Sequence, residues 1–302
     1  MKKAQLQAAP DFVFARRPHC FECVDRTPGQ PVKPGLQAPH APYLRTRSET
    51  LTFSRDDVPA LTITADPSNF VEITGAKRDE WSLRFCAQGE GNSEGEARER
   101  LQEISMSRIG STVSLNSSGF GHMLGARGKL LIEAPAGAPI VVHGSFAAVE
   151  VRDMTGTVRV TAAQGRAKIL DTTGKVNASG FVVDFVGSKG TVILSADTEI
   201  NLKLNTVRFD GELSAWTQHL VRMLVPRGFQ TPFQAVVRRP KDFVCRTDFR
   251  SKVQQEKNGS LYVFRYPGDG NTPPERVHLR SEQATVVIDT EGANSSAIQK
   301  LG

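Results

Sequence analysis

The sequence predicts an all-β chain wound as a single-stranded β-solenoid, a right-handed β-helix, with one short surface helix; a β-sandwich is the alternative fold. Three observations predict it. Gly156, Gly165 and Gly174 recur at nine-residue spacing. Between them, short segments alternate apolar and polar residues with the period of two that a strand buried on one face requires. Only one segment, near residues 94–104, carries the end signals of a helix.

In chain order, residues 1–45 read as a Pro-rich N-terminal arm, because seven of the seventeen prolines fall within residues 1–42. Each proline fixes φ and removes a donor, which bars helix and central strand alike. Residues 46–290 read as the solenoid domain and 291–302 as a flexible C-terminal tail. Regular structure is expected to begin near Thr50. The runs TLTF (50–53), ALTIT (60–64), FVEIT (70–74) and WSLRFC (81–86) alternate as strands. The predicted helix follows, with Ser93 as its cap and Glu96 three residues on, a capping box. Its faces are polar except for Leu101 and Ile104, so it belongs on the surface, against the sheet.

The segment 148–180 is the most regular: AVEVRDMTG, TVRVTAAQG, RAKILDTTG, KVNASG. Its second positions are Val149, Val158, Ala167 and Val176, and its fourth are Val151, Val160, Ile169 and Ala178. Glu150, Arg159, Lys168 and Asn177 stand between them and face out. Glycine gives each unit the backbone freedom for a corner. A unit this short cannot bury its apolar face alone, so neighbouring rungs must cover it. With two units per turn, Glu150 and Lys168 meet on the outer face. The pattern loosens in FVVDFV (181–186), TVILS (191–195), EINLKL (199–204) and TVRF (206–209), and reaches upstream to KLLIEA (129–134) and IVVH (140–143). Residues 214–226 fit a helix or a strand; FQAVV (233–237), LYVFRY (261–266) and TVVID (285–289) are strand-like. The open ends of such a stack are sheet edges, which the helix and the C-terminal strands are expected to cap.

Over residues 50–290, the succession VEIT, WSLRFC, EARERLQEI, STVSL, LLIEAP and the ladder TGTVRVTAAQGRAKILDTTGKVNASG resembles the bacterial putative-adhesin family of unknown function, whose members form β-solenoid domains. The resemblance implies the fold, an adhesin-like role by name, and a cell-surface location. It brings no catalytic motif.

The chain carries a net charge of +6, with the excess at its ends: 8 basic and 4 acidic residues in 1–50, 17 and 20 in 51–220, and 13 and 8 in 221–302. There is no run of five basic residues, so no specific nucleic-acid partner is expected; the charge reads as solubility with weak attraction to anionic surfaces. No apolar run approaches the ~18 residues of a membrane-spanning helix. The start, MKKAQLQAAPDFVF, lacks the apolar core of a secretory signal, so a cytoplasmic location with reduced cysteines is expected.

Several residues have side chains capable of chemistry. Cys20 and Cys23, with His19 and His40 nearby, make half of a zinc-type ligand set; Cys86 and Cys245 read as small core hydrophobes. Gly91-Asn92-Ser93-Glu94-Gly95 matches the nucleophile-elbow pattern, but Ser93 is accounted for as a helix cap. Asp153 and Asp171 occupy equivalent places eighteen residues apart, as carboxylates of a sugar-cleaving site or a cation site would; aspartate before a glycine turn more often bonds its own backbone. His122, His143, His219 and His278 have no partner spacing. Trp81 and Trp216 are the only tryptophans, too few for a row that stacks sugars. The expectation is thus a non-enzymatic interaction protein with a protein or glycan partner and no cofactor, metal or catalytic residue assigned. A β-helix enzyme acting on polysaccharide and a zinc-stabilised interaction module are the alternatives.

Overall fold

The two periodicities in the sequence resolve into twenty strands and one α-helix in the computed structural model, which describes residues 43–67, 69–117, 125–268 and 276–291. The strands are β1 (Tyr43–Ser54), β2 (Leu61–Ala65), β3 (Asn69–Ala76), β4 (Glu80–Gly91), β5 (Ile104–Ile109), β6 (Thr112–Ser117), β7 (Ala126–Pro135), β8 (Ile140–Gly144), β9 (Ala148–Arg152), β10 (Val158–Leu170), β11 (Lys175–Gly187), β12 (Lys189–Leu204), β13 (Asp210–Thr217), β14 (Leu220–Val225), β15 (Phe233–Val237), β16 (Phe243–Arg246), β17 (Gln254–Asn258), β18 (Leu261–Tyr266), β19 (Val277–Ser281) and β20 (Val286–Thr290). Helix α1 spans Glu94–Gln102. The strands form one large mixed sheet, and the chain is all-β as expected.

Hydrogen bonding organises the sheet into two ladders. The first runs β5–β6–β2–β8–β10–β11–β12–β13–β19–β15–β18–β17. The second runs β1–β4–β7–β3–β9–β10–β11–β12–β14–β20–β16. Strands β10, β11 and β12 are long enough to serve both, the first half of each in one ladder and the second half in the other. Pairing is parallel through the middle and antiparallel at three of the four ladder ends, in β5–β6, β1–β4–β7 and β15–β18–β17; the fourth end, β20–β16, is parallel.

Inward residues from both ladders join one apolar cluster, in which Val149, Val151, Val158, Val160, Ala167, Ile169, Val176 and Ala178 are all buried. Each fully buried Val or Ile contributes roughly 1.5–3 kcal/mol. The eighteen-residue register expected from the sequence holds where Val158 pairs with Val176 and Val149 with Ala167. It shortens to sixteen between Val176 and Val192, and lengthens to twenty-one between Val192 and Leu213.

The corners correct one expectation. Gly156, Gly165 and Gly174 do not adopt left-handed backbone; Asp153 (φ 58°) and Asp171 (φ 47°) do. Aspartate tolerates that region because its short carboxylate bonds locally. The glycines are required for closeness instead. A Cβ on Gly174 would lie 2.0 Å from the Gly156 carbonyl oxygen, and one on Gly156 2.6 Å from that of Gly137.

Other elements also depart from the sequence reading. Strand is already present at Tyr43, ahead of Thr50. The ambiguous segment 214–226 forms two strands, the end of β13 and all of β14, turning at residues 218–219. Strands β5, β16, β17 and β19 carried no expectation. Helix α1 matches its prediction closely: the Ser93 hydroxyl accepts from the Glu96 N–H at 3.1 Å, and Glu96 accepts from the Asn92 N–H at 2.8 Å. The helix lies directly on β4, where a Cβ at Gly89 would meet the Ala97 carbonyl at 2.3 Å.

Candidate functional site

Because side chains alternate along a strand, each ladder shows one face to the core and one outward. The two outward faces differ in chemistry.

On the second ladder the outward row runs Glu72, Glu150, Lys168, Asp184, Asn201, Arg222 in register. Its charges are consumed by one another. Lys168 Nζ lies 3.2 Å from Glu150 Oε2, and Arg152 also reaches Glu150. Lys129 and Arg152 hold Glu72 at 3.3 and 3.8 Å. Arg166 pairs with Asp184, which also accepts from Asn201 Nδ2 at 3.0 Å; Arg222 lies 3.5 Å from Glu199. The expected pairing of Glu150 with Lys168 is present, but the setting is not the open surface anticipated, since the side chains of Glu150 and Asp184 are only 7% and 2% exposed. Carboxylates this sheltered are tolerated only with hydrogen-bonded partners.

On the first ladder the outward residues are Thr62, Val141, Arg159, Asn177, Ile193, Ser214 and His278 in one row. Two residues further on, in the same registers, stand Thr64, His143, Thr161, Ser179, Ser195, Trp216 and Arg280. Hydroxyls, an amide, two large apolar side chains and scattered cations thus share one surface. Ile193 is 45% exposed and Trp216 37%. Arg159 has no acidic partner within ion-pairing distance among the described residues. This face has groups free to engage a partner, whereas the second has paired nearly all of its own. Trp81, by contrast, is buried and donates to the Val58 carbonyl at 2.8 Å.

The residues singled out from the sequence do not converge. Asp153 and Asp171 sit at successive corners, where their backbone N–H groups donate to Leu170 and Val186 carbonyls at 3.1 and 2.8 Å. Asp171 Oδ1 accepts from Asn205 at 3.5 Å. Ser93 is the helix cap. His143, His219 and His278 are exposed and apart. Cys20, Cys23, His19, His40 and His122 lie outside the described residues. No group of three metal-capable side chains occurs among the described residues. Cys245 is a free, buried thiol whose pKa is pushed up by burial. Cys86 is disulfide-bonded, which corrects the expectation of a reduced thiol there.

Two features were missed. The first-ladder face could be assembled only from the register, because its rows draw on residues far apart in sequence. A cleft of about 480 Å³ beside β16, lined in part by Arg246, Arg250 and Phe264, also gave no sequence signal beyond the basic excess of the last third.

No family model matches the chain, and no curated protein matches it. Among solved structures it is similar to a putative cell adhesion protein from Clostridium sporogenes, at 10% identity over 82% of this chain and 99% of that one, with a TM-score of 0.29. It is similar also to a putative adhesin from Bacteroides fragilis (8% identity, 83% and 98% covered, TM-score 0.34) and to one from Parabacteroides merdae (9%, 81% and 96%, 0.29). Likeness at this level decides neither the fold nor the function of this chain. No helix among the described residues is long and apolar enough to cross a membrane.

Proposed function

We propose that this chain is a non-enzymatic β-solenoid, its body spanning residues 46–290 and extended back to Tyr43 by β1, that binds a protein or glycan along the outward face of its first ladder in an adhesin-like role. One observation carries the reading: the in-register rows of hydroxyl, amide and apolar side chains include the exposed Trp216 and Ile193, and Arg159, Asn177 and Ser195 among them make no side-chain hydrogen bond or ion pair with the described residues. An exposed Trp with neighbouring hydroxyls suits both sugar stacking and the aromatic anchor of a protein interface. The solenoid reading is supported by β10, β11 and β12, each of which serves both ladders in parallel register. The polysaccharide-cleaving alternative needs Asp153 and Asp171 to act on substrate, and their left-handed backbone gives them a conformational role instead. A disulfide at Cys86 suits an oxidising compartment, so the proposal takes a surface or secreted location in place of the cytoplasmic one.

The test is binding of the full chain to glycan arrays and to extracellular protein panels. Trp216→Ala with Ile193→Ser is expected to abolish every specific signal while leaving thermal unfolding unchanged. Specific binding that survives this pair, or turnover of a polysaccharide lost in Asp171→Asn, would overturn the proposal.

A further inference from the structure

A second surface, away from the first-ladder face, has the makings of a binding site of its own. Strand β16 closes the second ladder: among the described residues it pairs with β20 and with nothing on its other side. An unpaired strand edge presents N–H and C=O groups in alternation, a template for one more strand. The cleft of about 480 Å³ lies along this edge, lined by all four residues of β16 together with Arg250, Val253 and Phe264. Phe243 and Phe264 stack with ring centres 4.1 Å apart, which gives the cleft an apolar wall.

Arg246 and Arg250 line it, and the chain segment that carries them is charged one way. Residues 238–252 hold six basic side chains and two acidic ones. All six bases, Arg238, Arg239, Lys241, Arg246, Arg250 and Lys252, are exposed. Asp242 is buried and held by Arg239 at 2.8 Å, and Asp248 accepts from the Gly228 N–H at 3.4 Å. Arg246 comes no closer than 4.0 Å to Asp289. Arg238, Lys241, Arg250 and Lys252 have no acidic partner within ion-pairing distance among the described residues.

We infer that the β16 cleft takes an extended acidic peptide as an added strand. The edge supplies main-chain hydrogen bonds, the Phe243–Phe264 wall takes alternate apolar side chains, and Arg246 and Arg250 take carboxylates. A polyanionic sugar or nucleic acid would answer the charge alone. A peptide answers the charge, the alternating donors and acceptors, and the apolar wall together. The four edge residues match a partner segment of about four to six residues, at ~3.3 Å per residue.

The probe is a fluorescein-labelled, end-blocked peptide of alternating valine and glutamate, titrated against the full chain by fluorescence polarisation. Saturable binding is expected, weakened roughly tenfold or more by Arg246→Gln with Arg250→Gln, both exposed positions. The same peptide N-methylated at every second amide is expected to lose binding to a similar degree, because it cannot pair along one edge. Arg159→Gln and Trp216→Ala, on the first-ladder face, are expected to leave the peptide unaffected, so failure here is separable from failure of the proposed function. Absence of binding overturns the inference. So does equal affinity for the N-methylated peptide, or full competition by dextran sulfate with no effect of N-methylation; either would reduce the cleft to a general anion surface.

Discussion

The two outward faces of the ladders share strands β10, β11 and β12 and differ in what their side chains have left to offer. On β10, Arg159 and Thr161 face out from the first ladder, and Arg166 and Lys168 from the second. Lys168 and Arg166 are tied to Glu150 and Asp184 one strand away, and those carboxylates are nearly shut off from water. Arg159 is tied to nothing acidic among the described residues. Alternation fixes which side chains point out; the neighbour at the same register decides whether they stiffen the sheet or remain available. A charged row can therefore be a structural seam, and a plain row of Thr, Ser, Asn and Ile the surface that meets a partner.

That contrast can be broken by substitution. The largest effect is expected from Val160→Asp, which places an unpaired carboxylate in the core beneath both faces; a loss of more than about 4 kcal/mol is expected in urea unfolding. A mild effect would mean that the inward face is not dry. Asp184→Ala should cost about 2–3 kcal/mol, because Asn201 loses its acceptor and Arg166 its partner in a sheltered place. If the cost is instead that of an open surface pair, the second face is not a structural seam. Lys168→Gln should cost about 1 kcal/mol, since Arg152 stays on Glu150. Trp216→Ala should have the smallest effect, under about 1 kcal/mol, because the side chain is 37% exposed and anchors no side-chain hydrogen bond among the described residues.

A pH series sharpens the picture at the end of the second ladder. Burial raises the Asp289 carboxyl above its usual range, against the weaker pull of Arg246 and Arg222. A raised folded-state pKa means that the folded form holds the proton more tightly. The stability Asp289 contributes is therefore present below the ordinary Asp range and is lost as pH rises through its raised value. Asp289→Asn is accordingly expected to stabilise the protein at pH 7, with the gain shrinking as the pH is lowered through the carboxylate range. Equal effects at both ends of the titration would count against the burial account.

How much of this could be read from the sequence depended on how local the determining contact was. The Ser93 cap, the inward Val149–Val151 and Val158–Val160 pairs, and the meeting of Glu150 with Lys168 all follow from periodicity over a few residues or one regular turn. The register after β11 did not, because lengths of sixteen and twenty-one residues between paired positions hide the correspondence of Val176, Val192 and Leu213. The antiparallel ends were likewise hidden, since alternation looks the same in either direction. The first-ladder face draws on seven strands, and even Asn177, Ile193 and Trp216 become neighbours only once β11, β12 and β13 are aligned. The cause of the glycine spacing was misassigned, because a corner and a close crossing call for the same residue, and only the backbone angles tell them apart.

Two of those glycines belong to a file that starts at Gly137 and continues through Gly156, Gly174, Gly190 and Gly211, each of the last four with the place of its missing methyl filled by the backbone of the one before. The file acts as a splice point common to successive turns. Duplicating residues 157–174 would set a new glycine in line with its neighbours and keep every inward side chain on its side. The product should be a longer protein, extended by about 4.8 Å, whereas a duplication cut out of phase with the file would jam a side chain against a carbonyl and fail to stack.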